Sequence, residues 1–134
     1  MSAFIIGVTD FGVDIGESRL EVTKGDGALS LTVEIVGDKT AFDRAVTDDD
    51  AWSWALYPPR FYLRELPIST QVASSQLTLS LADGDDHETA LYMMEHNPVR
   101  DLTIKFLSPS KIQIDGRVDL LGDEKAFRIQ YESA

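Results

Sequence analysis

The sequence predicts a β-rich α+β fold, a mostly antiparallel meander that forms a sandwich or a partly closed barrel with one or two short helices. Apolar and polar residues alternate with a period of two in most segments, and several connections between these segments are short. Only the segments 38–59 and 85–98 depart from this pattern. The length of 134 residues and the apolar content of 43% suit a single domain, 1–134, with one core.

Alternation defines the predicted strands and their buried faces. In the segment ALSLTVEIV, Leu31, Val33 and Ile35 share one face, whereas Thr32 and Glu34 share the other. A strand of this kind buries one face and exposes the other. The residues predicted to be buried on strands are Leu29, Leu31, Val33, Ile35, Leu77, Leu79, Leu81, Leu102, Ile104, Phe106, Ile112, Ile114, Phe127 and Ile129.

Short connections predict which strands are neighbours. Residues 101–132 hold three alternating segments joined by SPS and GDEK, and connections of that length require antiparallel neighbours. The pair Asp26-Gly27 predicts a hairpin turn, because both residue types tolerate positive φ. Gly116 inside a strand pattern predicts a bulge or a bend. The N-terminal segments FIIGV, FGVDI and RLEVT are predicted as strands as well.

Two segments have features of helices. Phe42, Ala45 and Val46 have the spacing of one or two helical turns. The segment DDHETALYMMEHNP begins with an acidic N-cap and a glutamate three residues later, as in a capping box, and ends in Asn-Pro. These signals favour a helix over residues 85–96, with His96 near its C-terminus, and a strand over residues 89–95 is the alternative.

The most unusual stretch is TDDDAWSWALYPPRFYLREL, residues 47–66, which places five aromatic residues within eleven positions after three aspartates. The acidic triplet suits the first turn of a helix. In a strand, Trp52 and Trp54 would project from the same face. In a helix they would diverge by about 200°, so that only one could lie in the core.

Packing in the core is the simpler explanation of this aromatic block, because aromatic side chains dominate core packing. A contact surface is the functional alternative, since Trp, Tyr and Arg commonly anchor protein interfaces and Arg60 and Arg64 are close in sequence. The candidate partner-binding residues are Trp52, Trp54, Tyr57, Arg60, Tyr62, Asp48, Asp49 and Asp50.

The charge balance limits the classes of partner. There are 23 Asp and Glu against 12 Lys and Arg, a formal net charge of −11. Such a surface repels phosphates, so neither nucleic acid nor an anionic membrane is an expected partner. The acidity can serve solubility alone, or it can form a face that docks onto a basic protein. The first residues lack a basic start and no apolar run reaches about 20 residues, so a cytoplasmic protein is expected.

Motifs for catalysis or metal binding are weak or missing in the sequence. There is no cysteine, P-loop, G-x-S-x-G or H-E-x-x-H, and the loop ADGDDHE fails the EF-hand pattern, because Glu88 stands where that loop needs glycine. His87 and His96 have no third histidine. No cofactor or metal is therefore expected, and a non-enzymatic role is favoured. The abundant carboxylates leave acid–base catalysis an open question.

These observations favour a non-catalytic, acidic protein-binding module, such as an antidote or immunity-type inhibitor of a basic protein. One alternative is a small barrel that binds an apolar ligand in its mouth, lined by the aromatic block. Another is a scaffold subunit that forms homo-oligomers through a free sheet edge.

We expect calcium to leave the stability of the protein unchanged, because turns and solvation explain the acidic loops. Thermal melts with excess calcium and with a chelator should give the same midpoint. A large upward shift of the midpoint with calcium would instead assign a binding site to Asp83, Asp85 and Asp86.

Overall fold

The computed structural model describes residues 2–25, 28–48, 52–68, 77–81, 88–93, 96–97, 99–108, 110–120 and 122–132. Strands account for most of these residues, and they are accompanied by one α-helix. The strands are β1 (Ala3–Ile6), β2 (Thr9–Asp10), β3 (Arg19–Gly25), β4 (Ala28–Val36), β5 (Arg60–Ile68), β6 (Leu77–Leu81), β7 (Glu88–Tyr92), β8 (His96–Asn97), β9 (Val99–Ser108), β10 (Lys111–Leu120) and β11 (Asp123–Glu132), and the helix is α1 (Lys39–Asp48).

Within the described residues the strands form two antiparallel sheets. The first sheet has six strands in the order β2-β1-β11-β10-β9-β6, and the second has five in the order β3-β4-β5-β7-β8. The β-rich, antiparallel prediction is thereby confirmed. Among the helices that this part of the chain forms, none has the length and apolar character needed to cross a membrane.

The predicted meander and hairpin are both present. Strands β9, β10 and β11 are consecutive neighbours in the first sheet, with pairs such as Ile114↔Ile104 and Ile114↔Ile129. Strands β3 and β4 pair as far as Gly25↔Ala28, so only Asp26 and Gly27, which lie outside the described residues, separate the last pair. Short connections thus predicted the local pairing correctly.

The core draws side chains from both sheets. Of the fourteen residues predicted to be buried, Leu31, Val33, Ile35, Leu102, Ile104, Phe106, Ile112, Ile114, Phe127 and Ile129 are buried. The side chains of the other four, Leu29, Leu77, Leu79 and Leu81, lie outside the described part. Alternation therefore identified the buried face for all ten of these residues whose side chains the structure describes.

Two contacts connect the sheets directly. The rings of Phe61 on β5 and Phe127 on β11 lie 5.7 Å apart. The hydroxyl of Tyr131 on β11 donates to the carbonyl oxygen of Ser18, just before β3, at 3.3 Å. Burial raises the pKa of this tyrosine.

The segment FGVDI is not a strand, contrary to the prediction. Phe11 is buried, but the chain turns at Gly12, whose φ is +65°. The backbone then bonds to the end of β4, where the Asp14 amide donates to the Val36 carbonyl at 2.7 Å. Ile15 is exposed. Alternation over five residues was too short a signal to outweigh a glycine with positive φ.

The predicted helix around Phe42 is present as α1. Asp38 caps it, since its Oδ2 accepts a hydrogen bond from the Ala41 amide at 3.0 Å. Phe42 is buried, and its ring lies 6.3 Å from that of Phe11. The helix therefore packs on the N-terminal segment.

The favoured helix over residues 85–96 is wrong where the structure describes this segment. Residues 88–92 form β7, which pairs with β5 through Phe61↔Leu91, and His96 lies on β8 rather than at a helix terminus. Burial of Leu91 against the core outweighs the local capping signal. The buried Asn97 side chain donates to the Leu91 carbonyl at 3.2 Å. The cap residue Asp85 lies outside the described residues.

Gly116 lies at a bulge, as predicted. The register between β9 and β10 shifts there, so that Asp101 and Leu102 lie opposite this one glycine, and Asp101 has a φ of +55°. A Cβ at position 116 would lie 2.9 Å from the side chains of Leu102 and Phe127. The bulge therefore depends on a glycine on one strand and on a residue that tolerates the left-handed region on the other.

We expect Gly116→Ala to reduce the free energy of unfolding by about 1–3 kcal/mol, because the added methyl group must displace two core side chains. Asp101→Val should also destabilise, since a β-branched residue is strained at positive φ. Urea unfolding would measure both effects. Lys105→Ala, at an exposed position of β9, should stay within about 0.5 kcal/mol of the parent. If the free energy of unfolding of Gly116→Ala equals that of the parent, the close approach of Leu102 and Phe127 to position 116 is contradicted.

Candidate functional site

The eight candidate partner-binding residues separate into three locations. Trp52 and Trp54 belong to the core and its border, and Asp48 ends α1. Asp49 and Asp50 lie outside the described residues. The remaining three residues, Tyr57, Arg60 and Tyr62, lie on or beside the outward face of the second sheet, as the register of β5 shows below.

Trp52 is a core residue. Its side chain is 3% exposed, and its ring meets that of Phe11 edge to face at 5.0 Å. The indole Nε1 donates to Thr9 Oγ1 at 3.1 Å, which satisfies the one polar atom of the ring. Trp54 is partly buried, with its ring 6.2 Å from that of Trp52. Burial removes Trp52 from the surface that a partner could contact.

Of the acidic triplet predicted to start a helix, only Asp48 lies within the described residues. Asp48 is the last residue of α1, and the turn that follows at Trp52 is short, closed by an Ala55 amide that donates to the Trp52 carbonyl at 3.0 Å. A carboxylate is unfavourable near the C-terminal end of a helix dipole. Asp48 is exposed there.

Three residues of the second sheet form a row across its outer face. Val36 on β4 pairs with Arg60 on β5, and Arg60 pairs with Tyr92 on β7. Their sequence neighbours Ile35, Phe61 and Leu91 are buried in the core. Because side chains alternate along a strand, the row itself faces outward.

The loop before β5 places Tyr57 against one end of this row. The rings of Tyr57 and Tyr92 stack at 6.3 Å with an interplanar angle of 19°. Together with Pro58 they complete a depression of about 320 Å³, lined by Val36, Tyr57, Pro58, Arg60 and Tyr92. We call it the Tyr57 cleft.

The backbone holds the wall of the Tyr57 cleft in place. The Gly37 amide donates to the Pro59 carbonyl at 2.7 Å. A Cβ at position 37 would lie 2.8 Å from Pro59 Cδ, so the proline ring packs where any other residue would place its side chain. The two ends of the β4–β5 connection are therefore joined directly beneath the cleft.

Two of the five exposed large apolar side chains that the structure describes belong to this cleft or adjoin it in sequence. Tyr57 is 52% exposed and Leu56 is 64% exposed, and both are large apolar or aromatic side chains on consecutive positions. Most of the other large apolar residues that the structure describes are buried or partly buried. The surface next to the Tyr57 cleft is thus well suited to contact a partner.

The same outer face of the second sheet also carries a group of paired charges on β3, β4 and β5. Glu34 Oε1 accepts hydrogen bonds from Arg19 Nη2 at 3.3 Å and from Arg64 Nη2 at 3.4 Å. The guanidinium of Arg64 also lies 4.5 Å from the ring centre of Tyr62. Tyr62 itself is only 7% exposed. It supports this face and presents little surface to a partner.

The outer face of the first sheet carries several ion pairs. Arg128 Nε lies 2.6 Å from Asp115 Oδ1, and Arg117 Nη1 lies 3.3 Å from Glu124 Oε1. The carboxylates of Asp119 and Glu124 raise the pKa of Arg100. Exposed pairs of this kind contribute little stability each. They make this face well solvated, and the second sheet is the better candidate for an interface.

No group of three or more His, Asp or Glu residues in the part of the chain that the structure describes is placed to hold a metal ion. The acidic loop with Asp83, Asp85, Asp86 and His87 lies outside that part. The Tyr57 cleft is lined by aromatic rings, a proline and a guanidinium, and aromatic and arginine side chains commonly anchor protein interfaces.

Sequence reasoning missed three members of the cleft, Val36, Pro58 and Tyr92. Tyr92 was hidden by the helical interpretation of its segment. A strand interpretation would have placed Leu91 inward and Tyr92 outward by alternation. Val36 was treated only as the end of a strand, and its place in the row depends on the register between β4 and β5.

Comparison with known proteins gives no further guidance. No protein-family model matches the chain, and neither a curated protein nor a solved structure matches it.

We expect Trp52→Ala to reduce the free energy of unfolding by about 3–5 kcal/mol, as truncations of large buried aromatic residues do. Trp54→Ala should cost about 1 kcal/mol, because its side chain is only partly buried. Chemical denaturation of both variants would measure the difference. Equal, small effects would place Trp52 at the surface and contradict the structure.

Proposed function

We propose that this chain is a non-catalytic protein-binding module whose partner contacts the outer face of the second sheet at the Tyr57 cleft. The observation that carries the proposal is the half-exposed Tyr57 stacked on Tyr92 beside Arg60. Tyrosine and arginine are among the residues that most often dominate binding energies at interfaces. The adjoining exposed Leu56 extends the apolar part of this surface.

A protein partner suits the cleft better than an enclosed apolar ligand. Its volume of about 320 Å³ is at the lower end of the range of small-molecule pockets, about 300–1,000 Å³. Neither Trp52 nor Trp54 lines it. The aromatic block therefore supports the core and one wall of a surface cleft, rather than the mouth of a barrel.

The charge of the chain favours a partner with a basic surface. A net charge of −11 accelerates the encounter with a positively charged protein and repels acidic ones. An antidote or immunity-type inhibitor of a basic protein, acting in the cytoplasm, fits this combination of long-range charge and a local aromatic anchor.

We further propose that the two sheets form a sandwich. In the described residues, no ladder of backbone pairs joins one sheet to the other, and β3 pairs only with β4. A free edge of seven residues also supports a second candidate function, a homo-oligomer that forms by pairing β3 strands.

The experiment is affinity capture with the parent chain and with two variants, followed by binding measurements on the purified partner. We expect Tyr57→Ala to lose the partner and Val8→Ser to retain it. Val8 is a matched control because it is 99% exposed and lies in the turn between β1 and β2. Calorimetry should give a dissociation constant at least about tenfold weaker for Tyr57→Ala, with the parent melting temperature.

Two outcomes would contradict the proposal. A partner that binds the parent and Tyr57→Ala equally would place the interface elsewhere. A concentration-dependent dimer that Val22→Lys abolishes, with no foreign partner captured, would support the β3 edge instead, since Val22 is an exposed residue on that strand.

A further inference from the structure

We propose that the Tyr57 cleft binds an extended polyproline II segment of the partner, with two prolines three residues apart and a carboxylate between them. This inference rests on the proposed function and names the part of the partner that the module recognises. Three observations support it: the width of the row, the aromatic and proline lining, and the charge of Arg60.

The width of the row matches one turn of a polyproline II helix. Val36, Arg60 and Tyr92 lie directly opposite one another on three adjacent strands. Two spacings of about 4.8 Å between strands make the row about 10 Å long. A polyproline II helix rises about 3.1 Å per residue, so residues three apart on one edge are separated by about 9 Å. One such residue can contact the tyrosines while the other contacts Val36.

The lining of the cleft suits proline in particular. Tyr57 and Tyr92 present stacked rings, with Pro58 beside them. Grooves lined by aromatic residues recognise proline-rich segments, because the segment is already extended and loses little entropy on binding. Peptide in a β conformation would instead need a free sheet edge, whereas this row lies on a sheet face.

Arg60 determines the charge of the segment. Among the described residues, the neighbouring Arg19 and Arg64 share the carboxylate of Glu34, whereas no carboxylate in that part of the chain pairs with Arg60. Arg60 is exposed and lines the cleft between its two apolar ends. Its guanidinium can therefore bind a carboxylate on a residue between the two prolines.

The test uses fluorescein-labelled peptides and fluorescence anisotropy. The probe contains the sequence Ala-Pro-Glu-Ala-Pro-Ala, and matched peptides replace Glu by Gln, Glu by Lys, or both prolines by alanine. We expect the parent chain to bind the Glu peptide about threefold more tightly than the Gln peptide, because an exposed ion pair contributes about that much to the affinity. The peptide without prolines should bind at least about tenfold more weakly.

Variants assign the two contacts to their residues. Tyr57→Ala should weaken binding of the Glu peptide about tenfold, whereas Tyr57→Phe should retain most of the affinity, because it keeps the aromatic ring. Arg60→Glu should reverse the order of the peptides and bind the Lys peptide more tightly than the Glu peptide. Arg44 on α1 is another exposed arginine. The variant Arg44→Glu has the same net charge as Arg60→Glu, and we expect its peptide affinities to keep the order found for the parent chain.

The outcomes separate this inference from the proposed function. If Tyr57→Ala loses the protein partner but none of the peptides binds, the cleft is an interface and its occupant is not a polyproline segment. If benzoate competes with the protein partner for the cleft, and replacing both prolines by alanine does not weaken binding of the peptide, the cleft binds planar carboxylates. That result would overturn the inference. Preference for the Glu peptide that survives in Arg60→Glu would overturn the role of Arg60.

Discussion

The alternation of side chains along β5 is the constraint on which both the core and the candidate site depend. Phe61 and Leu63 face inward, and Phe61 contacts Phe127 of the opposite sheet at 5.7 Å. Arg60 and Tyr62, one residue before each, face outward. A register slip of one residue would bury the guanidinium and expose the phenyl ring. The core contact therefore fixes the residues that a partner can meet.

The same strand couples the stability of the fold to the geometry of the surface. Its neighbours β4 and β7 contribute Val36 and Tyr92, and both have buried sequence neighbours, Ile35 and Leu91. Core packing and strand pairing thus hold three outward residues in line. Recognition surfaces built on paired strands in this manner are more rigid than surfaces built on loops alone.

Sequence reasoning recovered the parts of the fold that depend on local patterns. Alternation identified the buried faces of β4, β9, β10 and β11, and short connections identified their neighbours. It failed at FGVDI and at residues 88–92, where a glycine with positive φ and a long-range pairing with β5 decide the structure. The candidate site was recovered in part, since Tyr57 and Arg60 line the cleft, whereas Trp52 is buried. Periodicity in one segment cannot indicate which distant strand will lie beside it.

The direct link between Gly37 and Pro59 makes residues 38–58 a closed excursion from an otherwise continuous β4–β5 hairpin. Phe42 and Trp52 secure this excursion to the core. Because the entropy of closing a loop changes slowly with its length, the residues between Gly37 and Pro59, which include Tyr57 and Pro58, can change while the sheet keeps its register. The wall of the cleft can in this way change its shape and chemistry on an unchanged scaffold, as the variable loops of antibodies do.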